Sequence, residues 1–518
     1  MTIIKSFSLM SFFTLLSRVL GYVRDLIFAF TLGATSNADN FLLAFRLPSL
    51  FRRLFAEGAI NNVFIPIYLD IKKKFNEKTS YLFASHVFSY LLIILISTTI
   101  LCEIFITDIV SFLAPGFSQE QIDRTSFLAS IMFPYLVFIS TSSFFGALLN
   151  ANNRYALWSF SPIILNLFMI GAMGLSYYYS LITSLILSWA VLISGLLQIL
   201  IIFFWARRKK IKLSLVRPKL TKNIKSLFKL LLPNILAGGI IQINQFIGVM
   251  FASSITGAIS WLYYADRIAQ LPLGVFVISI STILLTLLSK YEANKNKLKI
   301  KTQIDSSCVL MFVLTTISMV GLFAISDLIV DILFKRGKFG LGDVIATSDA
   351  IVMYAIGLPA FGFIKIFSVI FFAKQNTLTP FKVSSISMII NLILIFLLVN
   401  KLGHLGIALS LSLSSWINAA LLYFFLWKKN YWRFDKILII KVFKIIICSF
   451  ITYTVLSIFY MLVLYTDYLT LNDFIAKVLL LSFLIFFSAT LFFSLLKIMG
   501  IISFDKNKIK TFLKGERK

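Results

Sequence analysis

The chain has 518 residues, of which 59% are hydrophobic and 14% are charged, and its formal net charge is +28. Soluble domains contain about 45–50% apolar and about 25% charged residues, so this composition excludes a string of water-soluble domains. The basic residues lie in short loops between apolar runs, which argues against nucleic-acid binding and for a membrane protein.

The apolar runs have the length of about 20 residues that a membrane helix needs, and they lack the alternation of barrel strands. We therefore predict an all-α polytopic membrane protein. About fourteen spans are predicted, near residues 5–32, 37–69, 81–107, 122–151, 156–178, 181–206, 224–254, 258–289, 303–334, 346–375, 380–400, 405–428, 437–464 and 474–498. The first run lacks a cleavage site, so we interpret it as an uncleaved helix.

Alternate loops are basic, as expected when such loops face the cytoplasm. The predicted cytoplasmic loops carry Lys72–Lys74, Arg154, Arg207–Lys222, Lys295–Lys301, Lys374, Lys428–Lys436 and the tail after Lys506. One loop is an exception to this pattern, because Lys335, Arg336 and Lys338 fall on the predicted outer side. Lys401 is a lesser exception. An even number of spans places both termini on the same side, which the basic loops identify as the cytoplasm.

The longest basic connection divides the chain. We predict an N-terminal six-helix lobe over 1–206, a basic cytoplasmic linker over 207–223, a second six-helix lobe over 224–428, and two extra helices with a basic tail over 429–518. The two halves open alike, with Ile4-Lys5-Ser6 and Ile224-Lys225-Ser226. Paired halves around a midline cavity are typical of secondary transporters, which favours a transporter over a membrane enzyme.

Ionisable residues within membrane helices cost about 2.5–3.5 kcal/mol each on insertion scales and usually mark function. The predicted spans contain Arg18, Arg24, Asp25, Asp39, Arg46, Arg52, Arg53, Glu57, Asp266, Arg267 and Lys365. In the first two spans the arginines outnumber the carboxylates, and a planar guanidinium suits phosphate and pyrophosphate. These residues predict an anion-binding cavity.

The same charges also fit ion pairs between helices, or side chains that extend to the head groups. On ideal helices Asp39, Arg46, Arg53 and Glu57 fall within about 40° of one another, and Arg18 shares a face with Asp25. Both interpretations stay open for Arg46, Arg53 and Asp25, whereas we favour ligand binding for Arg18, Arg24, Arg52 and Arg267. Lys365 is either a counter-charge or a transport residue.

Two longer stretches carry a family resemblance. Ser17–Asp25 reads SRVLGYVRD and Phe45–Ala59 reads FRLPSLFRRLFAEGA, and both resemble the signature of the MurJ lipid II flippases. This family belongs to the multidrug/oligosaccharidyl-lipid/polysaccharide exporter superfamily. Tyr264–Arg267, Leu271–Gly274 and Gly357–Gly362 agree with it, and the resemblance covers the whole chain.

The resemblance implies two six-helix lobes that form a V, plus two C-terminal helices that help form a groove for a lipid tail. It implies a flippase that moves lipid II, an undecaprenyl-pyrophosphate-linked peptidoglycan precursor, across the bacterial inner membrane by alternating access. The implied substrate-binding residues are Arg18, Arg24, Arg52, Arg267, Asp39 and Glu57. Independently of the resemblance, our secondary candidates are Ser17, Asp25, Arg46, Arg53, Asp266 and Lys365.

No catalytic, cofactor or metal motif stands out, so we predict a transporter and not an enzyme. We also expect it to be a monomer and to be driven by membrane potential. Some family members use sodium, but the seventh span lacks a carboxylate, which argues against that here. Lipid II and membrane lipids are the expected partners, without nucleic acid, and contact with the cell-wall synthesis machinery stays open. The main alternative is a flippase for another lipid-linked oligosaccharide, whereas the basic residues disfavour a drug exporter.

Overall fold

A computed structural model describes residues 3–55, 59–152, 159–209, 211, 213–294, 296–465 and 474–501. Throughout these residues the regular structure is helical, without a strand. Ten helices and one pair of helices with a 40° bend are long and apolar enough to cross a membrane. The prediction of an all-α polytopic membrane protein is confirmed.

The helices of the described residues are, in chain order, α1 Ile3–Leu32, α2 Ser36–Phe55, α3 Ala59–Lys74, α4 Glu77–Ile104, α5 Ile106–Leu113, α6 Gln119–Met132, α7 Tyr135–Ala151, α8 Ser161–Tyr178, α9 Thr183–Arg208, α10 Lys222–Ala252, α11 Ala258–Pro272, α12 Ile278–Ala293, α13 Lys297–Phe334, α14 Leu341–Ala355, α15 Leu358–Ala373, α16 Leu378–Leu402, α17 His404–Lys428, α18 Lys436–Tyr465 and α19 Phe474–Ile498. A π-helical segment, Leu273–Val277, joins α11 to α12.

Each predicted span corresponds to one helix or to a consecutive pair of helices. Several pairs divide next to a proline, which removes a backbone donor and disturbs the helix before it. Pro134 lies between α6 and α7, and Pro272 precedes the π-helical segment. The short helix α5 was not predicted, because its eight residues are too few for a span and include Thr107 and Asp108 in the first turn.

The described chain forms two compact units. Unit 1 contains residues 1–260 and the separate segment 336–343, and unit 2 contains residues 261–335 and 344–518, in both cases as far as the structure describes them. The lobe boundaries over 207–223 and 429–518 rest on the sequence pattern and stay predictions.

The segment 336–343 joins unit 1 at the carboxyl end of α1. The backbone N–H of Lys338 donates to the carbonyl of Phe30 at 3.0 Å. Gly337 and Gly33 have φ angles of +59° and +63°, and a Cβ at Gly337 would lie 2.3 Å from the Phe30 carbonyl oxygen. Because cations are favourable near the carboxyl end of a helix, this docking accounts for basic residues in a predicted outer loop.

Gly337→Ala is expected to destabilise unit 1, because alanine is disfavoured at positive φ by about 1–2 kcal/mol and its Cβ would meet Phe30. A lower melting temperature of the purified protein is the measurement. Gly340→Ala is the matched control, since a Cβ there meets nothing within 4 Å. Equal melting temperatures for the two variants would contradict the docking.

In unit 1, loops predicted on the same side of the membrane contact one another. Gln121 donates to Ser36 at 2.8 Å between predicted outer segments, and Lys72 donates to Asn152 at 2.9 Å between predicted inner ones. This agrees with the predicted alternation of loops. Which side is cytoplasmic stays a prediction.

In unit 2 the long helix α13 packs against both C-terminal helices. Lys477 of α19 forms an ion pair with Asp331 of α13, which also pairs with Lys335 at 2.9 Å. The Tyr460 hydroxyl of α18 donates to Asp327 at 2.9 Å. These polar contacts attach α18 and α19 to one end of α13, in addition to their apolar packing.

Candidate functional site

In unit 1, Arg24 of α1 is buried, with 7% of its surface exposed. Its Nε and Nη2 donate to Asp25 Oδ1 at 3.0 and 2.7 Å, and its Nη1 donates to Asn166 Oδ1 at 3.1 Å. We favoured ligand binding over an ion pair for Arg24, and the structure places it in a buried ion pair. Its charge is therefore neutralised locally in this conformation.

Asn166 is a site residue that the sequence reasoning missed. It lies in α8, and its Nδ2 donates to the Ser17 carbonyl at 3.1 Å while its Oδ1 accepts from Arg24. One amide side chain thus links α8 to α1 at two points and orients the guanidinium. The signal was present, because Asn166 is the only amide side chain in an otherwise apolar helix.

Asp39 of α2 lies almost fully inside unit 1, with 1% of its surface exposed. Its Oδ2 accepts from the Gly257 N–H at 2.6 Å, and its Oδ1 accepts from the Ser260 N–H at 2.9 Å and the Ser260 hydroxyl at 2.6 Å. Gly257 and Ser260 flank the start of α11, so the carboxylate caps a helix from another part of the chain. Both oxygens are engaged, which is the geometry of a structural cap, and the predicted role of Asp39 in substrate binding stays a prediction.

The remaining charges of α2 lie further along the same helix, which continues through Pro48. Arg46 is half-buried and interacts electrostatically with Asp39. Arg52 is also half-buried. The Arg53 side chain and the whole of Glu57 lie outside the described residues, so their predicted roles stay predictions.

Two further candidates of unit 1 lie on α1. Ser17 is half-buried and accepts the hydrogen bond from Asn166 through its carbonyl oxygen, whereas Arg18 is exposed. Arg18 and Asp25 were predicted to share a face, but the ion pair of Asp25 is with its neighbour Arg24.

The other candidates lie in unit 2. Arg267 of α11 is exposed, and its Nη2 donates to the Tyr263 hydroxyl at 3.1 Å. Its guanidinium carbon lies 5.1 Å from the centre of the Tyr263 ring, a cation–π distance. Asp266 is half-buried and accepts from Gln270, and Lys365 of α15 is exposed.

The candidate residues of the two units, taken separately, include two kinds of arginine. Arg24 is buried and prearranged by Asp25 and Asn166, while Arg18 and Arg267 present exposed guanidinium groups. Arginine forks bind phosphate groups in two-point contacts, and a buried fork is stronger than an exposed one. Among the described residues, no group of three or more His, Cys, Asp or Glu residues could hold a metal ion.

Comparison with known proteins gives a consistent result. The sequence model of the family "Lipid II flippase MurJ" matches residues 28–495. A probable lipid II flippase MurJ from Rickettsia prowazekii (strain Madrid E) is 33% identical over 513 residues, covering 98% of this chain and 100% of the relative. One from Rhizobium meliloti (strain 1021) is 36% identical over 455 residues, covering 87% and 85%.

Solved structures agree. A lipid II flippase MurJ in an inward closed conformation superposes with a TM-score of 0.76 and 27% identity, over 94% of this chain and 99% of that one. An inward-facing multidrug resistance transporter of the MATE family reaches a TM-score of 0.67 at 15% identity, over 80% and 94%. The second likeness concerns the fold alone.

Proposed function

This chain belongs to the lipid II flippase MurJ family, and we propose that it moves lipid II from the cytoplasmic to the periplasmic leaflet of the bacterial inner membrane. The observation that carries the proposal is the family match over residues 28–495, which includes all of α2 and begins after Arg18 and Arg24 of α1. The chain is a multi-pass membrane protein of a transporter family. Translocation makes and breaks no covalent bond, so the side chains act by binding alone.

We assign the pyrophosphate of the head group to the arginines. Arg24 supports this role because it is a buried guanidinium whose orientation is set before any ligand arrives. An incoming pyrophosphate carries more negative charge than Asp25, so it competes with that carboxylate for the Arg24 fork. The binding roles of Arg18, Arg52 and Arg267 complete the proposal.

The transport cycle we propose is alternating access. The head group enters from the cytoplasm, the lipid tail stays in the bilayer, and a change of conformation then opens the binding site to the periplasm. The head group has to bind similarly in both states, because tighter binding in one state would stall release. An inside-negative potential favours outward movement of an anion by about 2.3 kcal/mol per charge per 100 mV, so we propose it as the driving force.

Depletion of this protein from its own cells is expected to leave lipid II present but inaccessible from outside. The measurement is cleavage of outward-facing head groups by a membrane-impermeant enzyme, with and without re-expression of the wild-type protein. Restored cleavage supports the proposal. Cleavage that persists at the wild-type rate after depletion would show that lipid II is not the essential cargo.

A further inference from the structure

A cavity of about 750 Å³ lies in unit 2, and none of the residues assigned to lipid II lines it. Its walls come from three connections between helices: the one from α12 to α13, the one from α15 to α16, and the one from α17 to α18. All three connections are basic loops that we predict to be cytoplasmic. The volume falls within the range of about 300–1,000 Å³ that small-molecule sites occupy.

One wall of the cavity is aromatic and closely packed. Trp432 is 5% exposed, and its Nε1 donates to Asp305 Oδ1 at 2.7 Å. The Trp432 and Phe434 ring centres lie 4.8 Å apart, and each ring also packs against Phe367. The indole hydrogen bond and the ring contacts hold this wall in place without a ligand.

The charged residues of the lining are mostly basic. They are Lys297, Lys301, Lys374, Arg433, Glu292 and Asp435, four cations and two carboxylates. Lys374 pairs with Glu292 at 2.6 Å and Lys301 pairs with Asp435 at 2.7 Å, so both carboxylates are neutralised. The hydrogen bond from Lys301, and to a smaller extent the one from the Leu438 N–H, holds the pKa of Asp435 below its ordinary value. The ion pair between Lys301 and Asp435 therefore persists at neutral pH.

Two cations of the lining are left over. Lys297 and Arg433 are exposed, and within the part of the chain that the structure describes neither forms an ion pair. They contribute an excess of two positive charges to a preformed cavity. Arginine provides a planar fork and lysine a compact charge, the two donor types that proteins combine around phosphate groups.

We propose that this cavity binds a phosphate-bearing anion at the cytoplasmic face of unit 2. The anion comes either from the head group of an anionic phospholipid in the adjacent leaflet or from a soluble phosphate ester. Basic pockets at the cytoplasmic ends of membrane helices suit phospholipid head groups, and the exposed Ile437 and Ile439 at the start of α18 offer apolar surface for an acyl chain. The inference uses none of the residues proposed to bind lipid II.

The test is isothermal titration calorimetry of the purified full-length protein in neutral detergent. The probes are dioctanoyl phosphatidylglycerol, which carries a lipid phosphate, and glycerol 3-phosphate, which is soluble. Wild type is compared with Lys297→Gln/Arg433→Gln. The matched control is Lys382→Gln/Lys428→Gln, which removes two exposed cations outside the cavity lining. A third variant, Arg267→Ala, reports binding at the proposed lipid II residues.

We expect saturable binding whose Kd rises about tenfold or more in the cavity variant and stays within about twofold in the control and in Arg267→Ala. Binding of the phospholipid alone identifies a lipid head group as the source, and binding of glycerol 3-phosphate identifies a soluble ester. The proposal is overturned if neither probe saturates, if the cavity variant binds like wild type, or if only Arg267→Ala loses binding.

Discussion

Arg24→Ala is expected to lower lipid II translocation by about 10- to 150-fold in the head-group cleavage assay. The variant removes an arginine that is both buried and oriented by two partners, and a charge-assisted contact in such a place contributes about 1.5–3 kcal/mol. Arg24→Lys keeps the charge but loses the planar fork, so we expect only partial recovery. Asn166→Ala keeps Arg24 and removes its second partner, which should give a smaller loss.

A second variant separates binding from folding. Arg24→Ala alone leaves the buried Asp25 carboxylate without its ion pair, which by itself destabilises a protein by about 3–5 kcal/mol. Arg24→Ala/Asp25→Ala removes both charges and should recover thermal stability without recovering transport. If the double variant also transports lipid II at the wild-type rate, Arg24 has a structural role and does not bind the substrate.

Asp39→Ala is expected to lower the free energy of unfolding of unit 1 by about 3 kcal/mol, because it leaves three buried donors at the start of α11 without an acceptor. Thermal unfolding of the purified protein is the measurement. Asp39→Asn should lower the free energy of unfolding by somewhat less, since its amide keeps one accepting oxygen. It should still be less stable than the wild type, because its NH₂ group opposes an N–H donor.

Ser260→Ala provides the matched comparison for the cap. It removes one hydroxyl donor and keeps both backbone contacts of the Asp39 carboxylate, so we expect a loss of about 1 kcal/mol. The cap assignment requires the order Asp39→Ala, Asp39→Asn, Ser260→Ala from most to least destabilising. Wild-type stability of Asp39→Asn would show that the carboxylate is not acting as a helix cap.

The helices could be predicted because an apolar run of membrane length has few alternatives to a helix. The short helix α5 could not, since eight residues that include Thr107 and Asp108 do not form an apolar run of membrane length. Asp25 was predicted to share a face with Arg18, because residues seven apart point in nearly the same direction on an ideal helix, whereas neighbours point 100° apart. A long guanidinium side chain can nevertheless turn towards the adjacent carboxylate.

The hydrogen-bond partners of Asp39 lie 218 and 221 positions after it in the chain, and no local sequence pattern predicts a helix cap from a residue so distant. Helix geometry places Asp39 and Arg46 on one face, but it does not identify the hydrogen-bond donors that contact the Asp39 carboxylate. Asn166 could have been found from the sequence, because an amide in an apolar membrane helix needs a hydrogen-bonding partner.

The docking of Lys338 onto Phe30 orders the events of biosynthesis. A ribosome that adds about 5–20 residues per second reaches Lys338 about 15–60 s after Phe30, since roughly 300 residues separate them. The carboxyl end of α1 therefore waits for its partner until α13 has been made. Unit 1 cannot finish folding until residues 261–335 of unit 2 have been made, so the two units are synthesised in an interleaved order, not one after the other.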